Sequence, residues 1–206
     1  DAGWLAAASS EGGPDMILIP ELQPDGEMID RLIKKTEKLF RDYLSVVIVI
    51  SEGIKWIQES GEIGQITDSA FGPRKLGGVV DRVMKHIERE LEGQFDAGTP
   101  FGVRPHHTDY TPRSGSPCAY DLKLVEVLAE RLGLMLEEGD NGKVPILNEV
   151  VPYEQLSVAH TRSLNIDDME SMPFPARDFY DADRMLTKPA FSRFMRTIMS
   201  GPEVVR

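Results

Sequence analysis

Cysteine is almost absent from this chain: Cys118 is the single one in 206 residues. One thiol excludes a disulfide framework and any cysteine-rich zinc module, and it suits a reducing cytosol. Basic charge is also scarce. Against 34 Asp and Glu stand 23 Lys and Arg, a net charge of −11. A general nucleic-acid binder or a polybasic membrane binder wants a positive surface, so both classes are disfavoured. Long hydrophobic runs are missing as well; the longest, Val46 to Ile50, is far too short to span a bilayer. The opening Asp1-Ala2-Gly3-Trp4-Leu5 has no initiator Met and no basic stretch before its apolar residues. A signal peptide is therefore not expected there, and the segment reads like a chain cut mid-element. No Walker motif and no G-x-G-x-x-G occurs, and the bare pair Gly77-Gly78 matches no nucleotide motif. What remains is 41% hydrophobic and 28% charged, enough apolar material for a core and too much for a disordered chain.

Two short runs have the composition of buried parallel strands. Met16-Ile17-Leu18-Ile19 stops at Pro20, and Val46-Val47-Ile48-Val49-Ile50 stops at Ser51-Glu52-Gly53. Both are apolar without alternation, as a strand covered on both faces would be. Between them Met28, Ile29, Leu32, Ile33, Leu39, Phe40 and Tyr43 form a helical stripe, with Asp25 as its N-cap. Strand, helix, strand predicts a right-handed βαβ unit. Lys55 to Gly78 is expected to be a surface segment. A second helix is predicted through Val79, Val80, Val83, Met84, Ile87 and Leu91. A third, from about Ala119 to Glu138, has Leu122, Val125, Leu128, Ala129, Leu132, Met135 and Leu136 as its stripe, ending at Gly139 and Gly142. Val144 to Leu147 predicts a strand whose Pro145 favours an edge or a bulge. From about 163 the chain is less regular, with a short helix through Phe191, Phe194, Met195 and Ile198. The expectation is a single α/β lobe over 1–206, three-layered α/β/α with a mainly parallel sheet.

In an open parallel sheet, ligands sit beyond the carboxyl ends of the strands. That rule singles out Glu52, followed by Gly53, where backbone can come close to a ligand. A second cluster is cationic: Arg104, His106, His107 and Arg113 lie within ten residues of this acidic chain. Arginine presents a planar fork that matches phosphate oxygens. Ser114-Gly115-Ser116 can add donors, and the helix near Ala119 turns a positive dipole end toward them. A phosphorylated metabolite is the natural inference, against the plainer alternative that these arginines only pair with surface carboxylates. His106 and His107 are adjacent, so on a strand they face opposite sides and do not share a metal easily. Cys118 reads as a small packed residue.

Taken in order, these segments resemble the phosphofructokinases, above all the pyrophosphate-dependent branch. Ala2-Gly3-Trp4-Leu5-Ala6-Ala7, Ile17-Leu18-Ile19-Pro20-Glu21 and Val47-Ile48-Val49-Ile50-Ser51-Glu52-Gly53 carry the resemblance in the first part. Asp68-Ser69-Ala70-Phe71-Gly72 and Lys75-Leu76-Gly77-Gly78-Val79 continue it. Arg104, Tyr110-Thr111-Pro112-Arg113-Ser114-Gly115-Ser116-Pro117 with Tyr120-Asp121, and Arg177-Asp178-Phe179-Tyr180-Asp181 complete it. Tyr110 stands where many members have histidine, Pro112 where glutamine is usual, and Ser114 where glycine is usual.

The resemblance implies a phosphofructokinase-like α/β fold and the substrate-binding, C-terminal half of such an enzyme. It implies that Glu52 bonds the hydroxyls of fructose 6-phosphate, and that Tyr110 and Arg113 hold its 6-phosphate. It implies the same role for Arg104, acting from a neighbouring subunit of a homo-oligomer. The reaction implied for the intact enzyme is transfer of a phosphoryl group from pyrophosphate or ATP to the sugar's 1-hydroxyl, giving fructose 1,6-bisphosphate. Mg2+ would be held mainly by the half absent here, which also carries the catalytic residues; no catalytic residue is therefore expected in this chain. A non-catalytic sugar-phosphate or effector-binding module of the same ancestry is the alternative. Neither nucleic acid nor membrane is expected as a partner, and the expected location is cytoplasmic.

Overall fold

The computed structural model describes residues 3–56, 78–96, 98–108, 111, 114–171, 174–199 and 201–202. In chain order the elements are α1 (Gly3–Ala8), β1 (Met16–Leu18), α2 (Gly26–Tyr43), β2 (Ile48–Ile50), α3 (Val79–Leu91) and α4 (Ala119–Glu137). After them come β3 (Lys143–Leu147), β4 (Thr161–Asn165), α5 (Ala176–Phe179), β5 (Tyr180–Asp181), β6 (Leu186–Thr187) and α6 (Pro189–Ile198). The fold is α/β. The chain divides into two compact units, one of residues 1–107 with 174–187, the other of 108–173 with 188–206.

In the first unit β1 and β2 pair in parallel, with Met16 opposite Ile48 and Leu18 opposite Ile50. The expected helix crosses between them. Asp25 caps it, its carboxylate accepting the Met28 amide at 2.8 Å and so satisfying one of the free amides of the first turn. Its innermost line is Met28, Leu32 and Thr36. The Thr36 hydroxyl is tolerated there because it donates to the Leu32 carbonyl at 2.8 Å. On α3 the buried positions are Val79, Val83, Ile87 and Leu91, one turn apart. These residues share one core with Met16, Leu18, Ile54, Trp56 and Met185.

Met185 reaches this core because the β5–β6 hairpin folds back onto β1. Its carbonyl accepts the Ile17 amide at 2.8 Å, and the Tyr180 hydroxyl donates to the Ile17 carbonyl. Burial first, then the Asp181 carboxylate, pushes the Tyr180 phenol far above its ordinary pKa, so it stays a donor. Met185 has φ 52°, a left-handed backbone that costs a non-glycine residue about 1 kcal/mol or more; full burial of its side chain offsets that. Lys35 ties the same hairpin to the strand, donating to the Asp15 carbonyl at 3.0 Å and the Arg184 carbonyl at 2.6 Å. Desolvation, with Arg184 nearby, lowers its ammonium pKa.

At the carboxyl ends of the parallel pair, Gly53 lies against Pro20. A Cβ placed on Gly53 would stand 2.9 Å from the Pro20 Cβ and 3.2 Å from its Cγ, nearer than carbon atoms approach. The proline ring has no rotamer to retreat into, so glycine is a steric requirement at this position.

The second unit is built on α4 and the antiparallel ribbon of β3 and β4, with Pro145 opposite Ser163. Among the described residues β3 pairs with β4 alone, which fits the expected edge position of Pro145. Tyr120, Val127, Val151 and Leu156 form the core there, with the Tyr120 hydroxyl donating to the Val151 carbonyl at 3.1 Å. Phe191 of α6 is fully buried.

Three expectations are corrected. β2 is half-buried and not covered on both faces, and Val47 beside it is 53% exposed. Among the described residues β2 has one strand neighbour. Tyr43 leaves the α2 stripe and is 71% exposed, because the helix ends there. On α4 the buried side is Ala119, Tyr120, Val127 and Met135; Leu122, Val125, Leu132 and Leu136 of the expected stripe are exposed. That helix is apolar on more than one face, and its ribbon covers the Tyr120–Val127 side. The mainly parallel sheet is represented among the described strands by β1–β2; the other two pairs are antiparallel. At the start, Trp4 and Leu5 are exposed while Ala6 and Ala7 are buried.

Two substitutions test this packing. Tyr180→Phe strands the buried Ile17 carbonyl, and urea unfolding should show a loss of about 1–3 kcal/mol; no loss would mean that the hairpin is not tied through this bond. Gly53→Ala should cost about 1–3 kcal/mol through the clash with Pro20, and should cost distinctly less in a Pro20→Gly background. Equal costs in both backgrounds would contradict the steric reading.

Candidate functional site

The first unit brings together the ends of β1 and β2. The Ser51 amide donates to the Leu18 carbonyl at 3.0 Å and the Ile54 amide to the Ser51 carbonyl at 3.2 Å, closing the turn that carries Glu52. Beyond the turn, Ile54 and Trp56 are buried, and Trp56 meets His86 of α3 edge-on at 5.6 Å. The backbone is thus anchored before and after Glu52, whose side chain is exposed. The carboxylate stands where the strand-end rule places a ligand-binding group, presented to solvent on a turn that cannot shift without disturbing Pro20.

Gln23 completes the turn, and the sequence reading missed it. Its Nε2 donates to the Pro20 carbonyl at 2.7 Å and the Gly53 carbonyl at 3.3 Å, and its Oε1 accepts the Lys55 amide at 2.7 Å. Glu21 was also missed as a functional group. Its Oε1 accepts the Gly3 amide at 3.2 Å and the Phe174 amide at 3.1 Å, joining α1 to the returning tail. Its Oε2 is buried with no hydrogen-bond partner among the described residues. A polar residue just past a strand end is the only local signal for either; the partners of Glu21 lie 18 and 153 positions away, and two of the three of Gln23 lie 30 and 32 away.

Arg104 sits in the first unit, on a segment outside any helix or strand, and is exposed. The chain enters that segment from a knot of three phenylalanines: Phe40 lies 4.8 Å from Phe95 and 5.1 Å from Phe101, and Phe95 lies 4.9 Å from Phe101. The Arg41 guanidinium stacks over Phe95 at 5.1 Å and donates to the Gln94 carbonyl at 2.7 Å. The loop before Arg104 is therefore fixed to α2.

Tyr110 and Arg113 lie outside the described residues. Around them, in the second unit, the Thr111 amide donates to the Thr108 carbonyl at 3.0 Å, and the Ser114 amide and hydroxyl both donate to the Thr111 carbonyl. The helix beyond begins at Ala119 as expected; its cap residue Cys118, contrary to the expectation of a packed residue, is exposed, and it donates its amide to Asp121 at 3.0 Å. Among the described residues no group of three or more His, Cys, Asp or Glu is placed to hold a metal ion, and no helix is long and apolar enough to cross a membrane.

Comparison with known proteins places this geometry in context. No protein-family model matches the chain. It is 28% identical over 172 residues to a pyrophosphate–fructose 6-phosphate 1-phosphotransferase of Dictyoglomus thermophilum, covering 81% of this chain and 46% of that protein. It is 25% identical over 173 residues to an ATP-dependent 6-phosphofructokinase 2 of Clostridium perfringens, covering 80% of this chain and 44% of that one. Two solved structures share the fold over 98% of this chain and 46% of theirs. They are pyrophosphate-dependent phosphofructokinases from Nitrosospira multiformis (TM-score 0.65, 17% identity) and Marinobacter aquaeolei (TM-score 0.62, 16% identity). The chain spans slightly less than half the length of these relatives. In sequence and in fold it resembles the phosphofructokinases, pyrophosphate-dependent and ATP-dependent together, across that half.

Proposed function

We propose that this chain is the sugar-phosphate-binding half of a phosphofructokinase, and that its ligand is fructose 6-phosphate. The observation that carries the reading is Glu52, an exposed carboxylate on a braced turn at the carboxyl end of the parallel pair, in a chain whose relatives are phosphofructokinases. A sugar phosphate needs hydroxyl acceptors at one end and cations at the other. Glu52 supplies the first. Arg113, with Tyr110, is proposed to supply the second, and Arg104 to reach the phosphate from a neighbouring subunit of a homo-oligomer.

Phosphoryl transfer to the sugar's 1-hydroxyl, from pyrophosphate or ATP, is proposed for the whole enzyme in the cytoplasm. In-line transfer of this kind uses a divalent cation to neutralise the developing charge. We place that ion mainly in the other half of the fold and assign no step through it to this chain. What these residues do is bind and orient the acceptor.

Removing either end of the acceptor site tests this. In the intact protein, Glu52→Ala and Arg113→Ala should each weaken fructose 6-phosphate binding by about 1.5–3 kcal/mol, roughly ten- to a hundredfold by calorimetry. Arg113→Lys should recover part of the loss, since a point charge lacks the two-pronged geometry. Donor affinity should hardly change. Donor binding lost with sugar-phosphate binding intact would overturn the assignment.

A further inference from the structure

We propose that Glu88 is the positioning residue for Arg104, acting through a clip that α3 makes on the segment Val103 to His107; this rests on the reading of Arg104 as a phosphate ligand. The Glu88 carboxylate accepts the Val103 amide at 3.3 Å. Seven residues earlier on the same helix, Asp81 Oδ1 stands 4.0 Å from the His107 Nε2. Seven residues are two turns, so both carboxylates lie on one face of α3 about 10.5 Å apart along its axis. The four residue steps from Val103 to His107 can span up to about 13 Å. The two spacings agree within side-chain reach, so the segment runs antiparallel along α3 with one carboxylate at each end.

The clip decides where Arg104 points. Phe101 and Val103 pack against the core of the first unit, while Gly102 and Arg104 are exposed. From 101 to 104 the exposure alternates as it does where neighbouring side chains take opposite sides, and from Pro105 to His107 every residue is exposed. With the Val103 amide bound to Glu88 and the Phe101 ring held by Phe40 and Phe95, the Arg104 side chain is committed to the outward side. Arg89, the next residue on α3, pairs with Glu90 at 3.0 Å. Without the clip the segment keeps only the apolar packing of Phe101 and Val103 among the described contacts, and Arg104 must be ordered at the expense of ligand affinity.

The test is a double-mutant cycle in the intact protein with fructose 6-phosphate as the titrant. Glu88→Ala should weaken its affinity about two- to tenfold, whereas Glu88→Gln, which keeps the oxygen acceptor, should stay near wild type. Added to Arg104→Ala, Glu88→Ala should cost nothing further, and donor affinity should be unchanged throughout. A general structural role predicts the opposite pattern, with additive losses and weakened donor binding, and either result would overturn the clip. So would an unaltered affinity in Glu88→Ala beside a weakened one in Arg104→Ala, which would leave the role of Arg104 standing. Arg104→Ala without effect would remove that role and the clip with it. If Glu88→Ala does not fold, Val103→Pro deletes the donor of the same bond and is read in the same way.

Discussion

Where β1 and β2 end, Pro20 and Gly53 approach so closely that no side chain fits between them. The contact joins a rigid ring to a residue without a Cβ, and it fixes the separation of the two strand-end loops. Gln23 then spans both loops with three hydrogen bonds. The placement of Glu52 depends on that pairing. A carboxylate on a loose loop would have to be ordered whenever ligand arrived; on this turn the ordering is done in folding, and the chain pays that entropy once. Behind the turn, Ile54 and Trp56 enter the same core as Met16, Leu18 and α3, so the stability of the first unit and the position of the candidate group are one problem.

Much of this was legible in the sequence, because its signals are local. Unbroken apolar runs gave β1 and β2, and the Asp25 cap with a stripe in steps of three and four gave α2. A buried residue at each turn gave α3. The strand-end rule, applied to the predicted βαβ unit, singled out Glu52, which lies on the turn after β2. Failures came where composition carries no direction. α4 is apolar on several faces, so periodicity could not say which side the β3–β4 ribbon would cover. Thr36 is buried although polar, because its hydroxyl bonds within its own helix. Glu21 and Gln23 look like loop residues until partners distant in the chain are brought beside them. The returning hairpin was invisible for the same reason: Tyr180 and Met185 meet β1 across more than 160 positions, and nothing in their immediate neighbours announces it.

Charge organises the remainder. With a net charge of −11, a site for the proposed anionic ligand would have to concentrate the chain's cations. The segment from Arg104 to Arg113 does so, with two arginines and two histidines. Two carboxylates of α3 meet the stretch from Val103 to His107, and its entry is fixed by aromatic packing against α2.

A crystal structure of the intact protein with fructose 6-phosphate bound is the most direct test of the central claim. The account predicts a sugar hydroxyl within hydrogen-bonding distance of the Glu52 carboxylate, about 2.6–3.2 Å, with the phosphate directed away from it and toward arginine. A sugar phosphate seated elsewhere, with Glu52 left in solvent, would contradict the account.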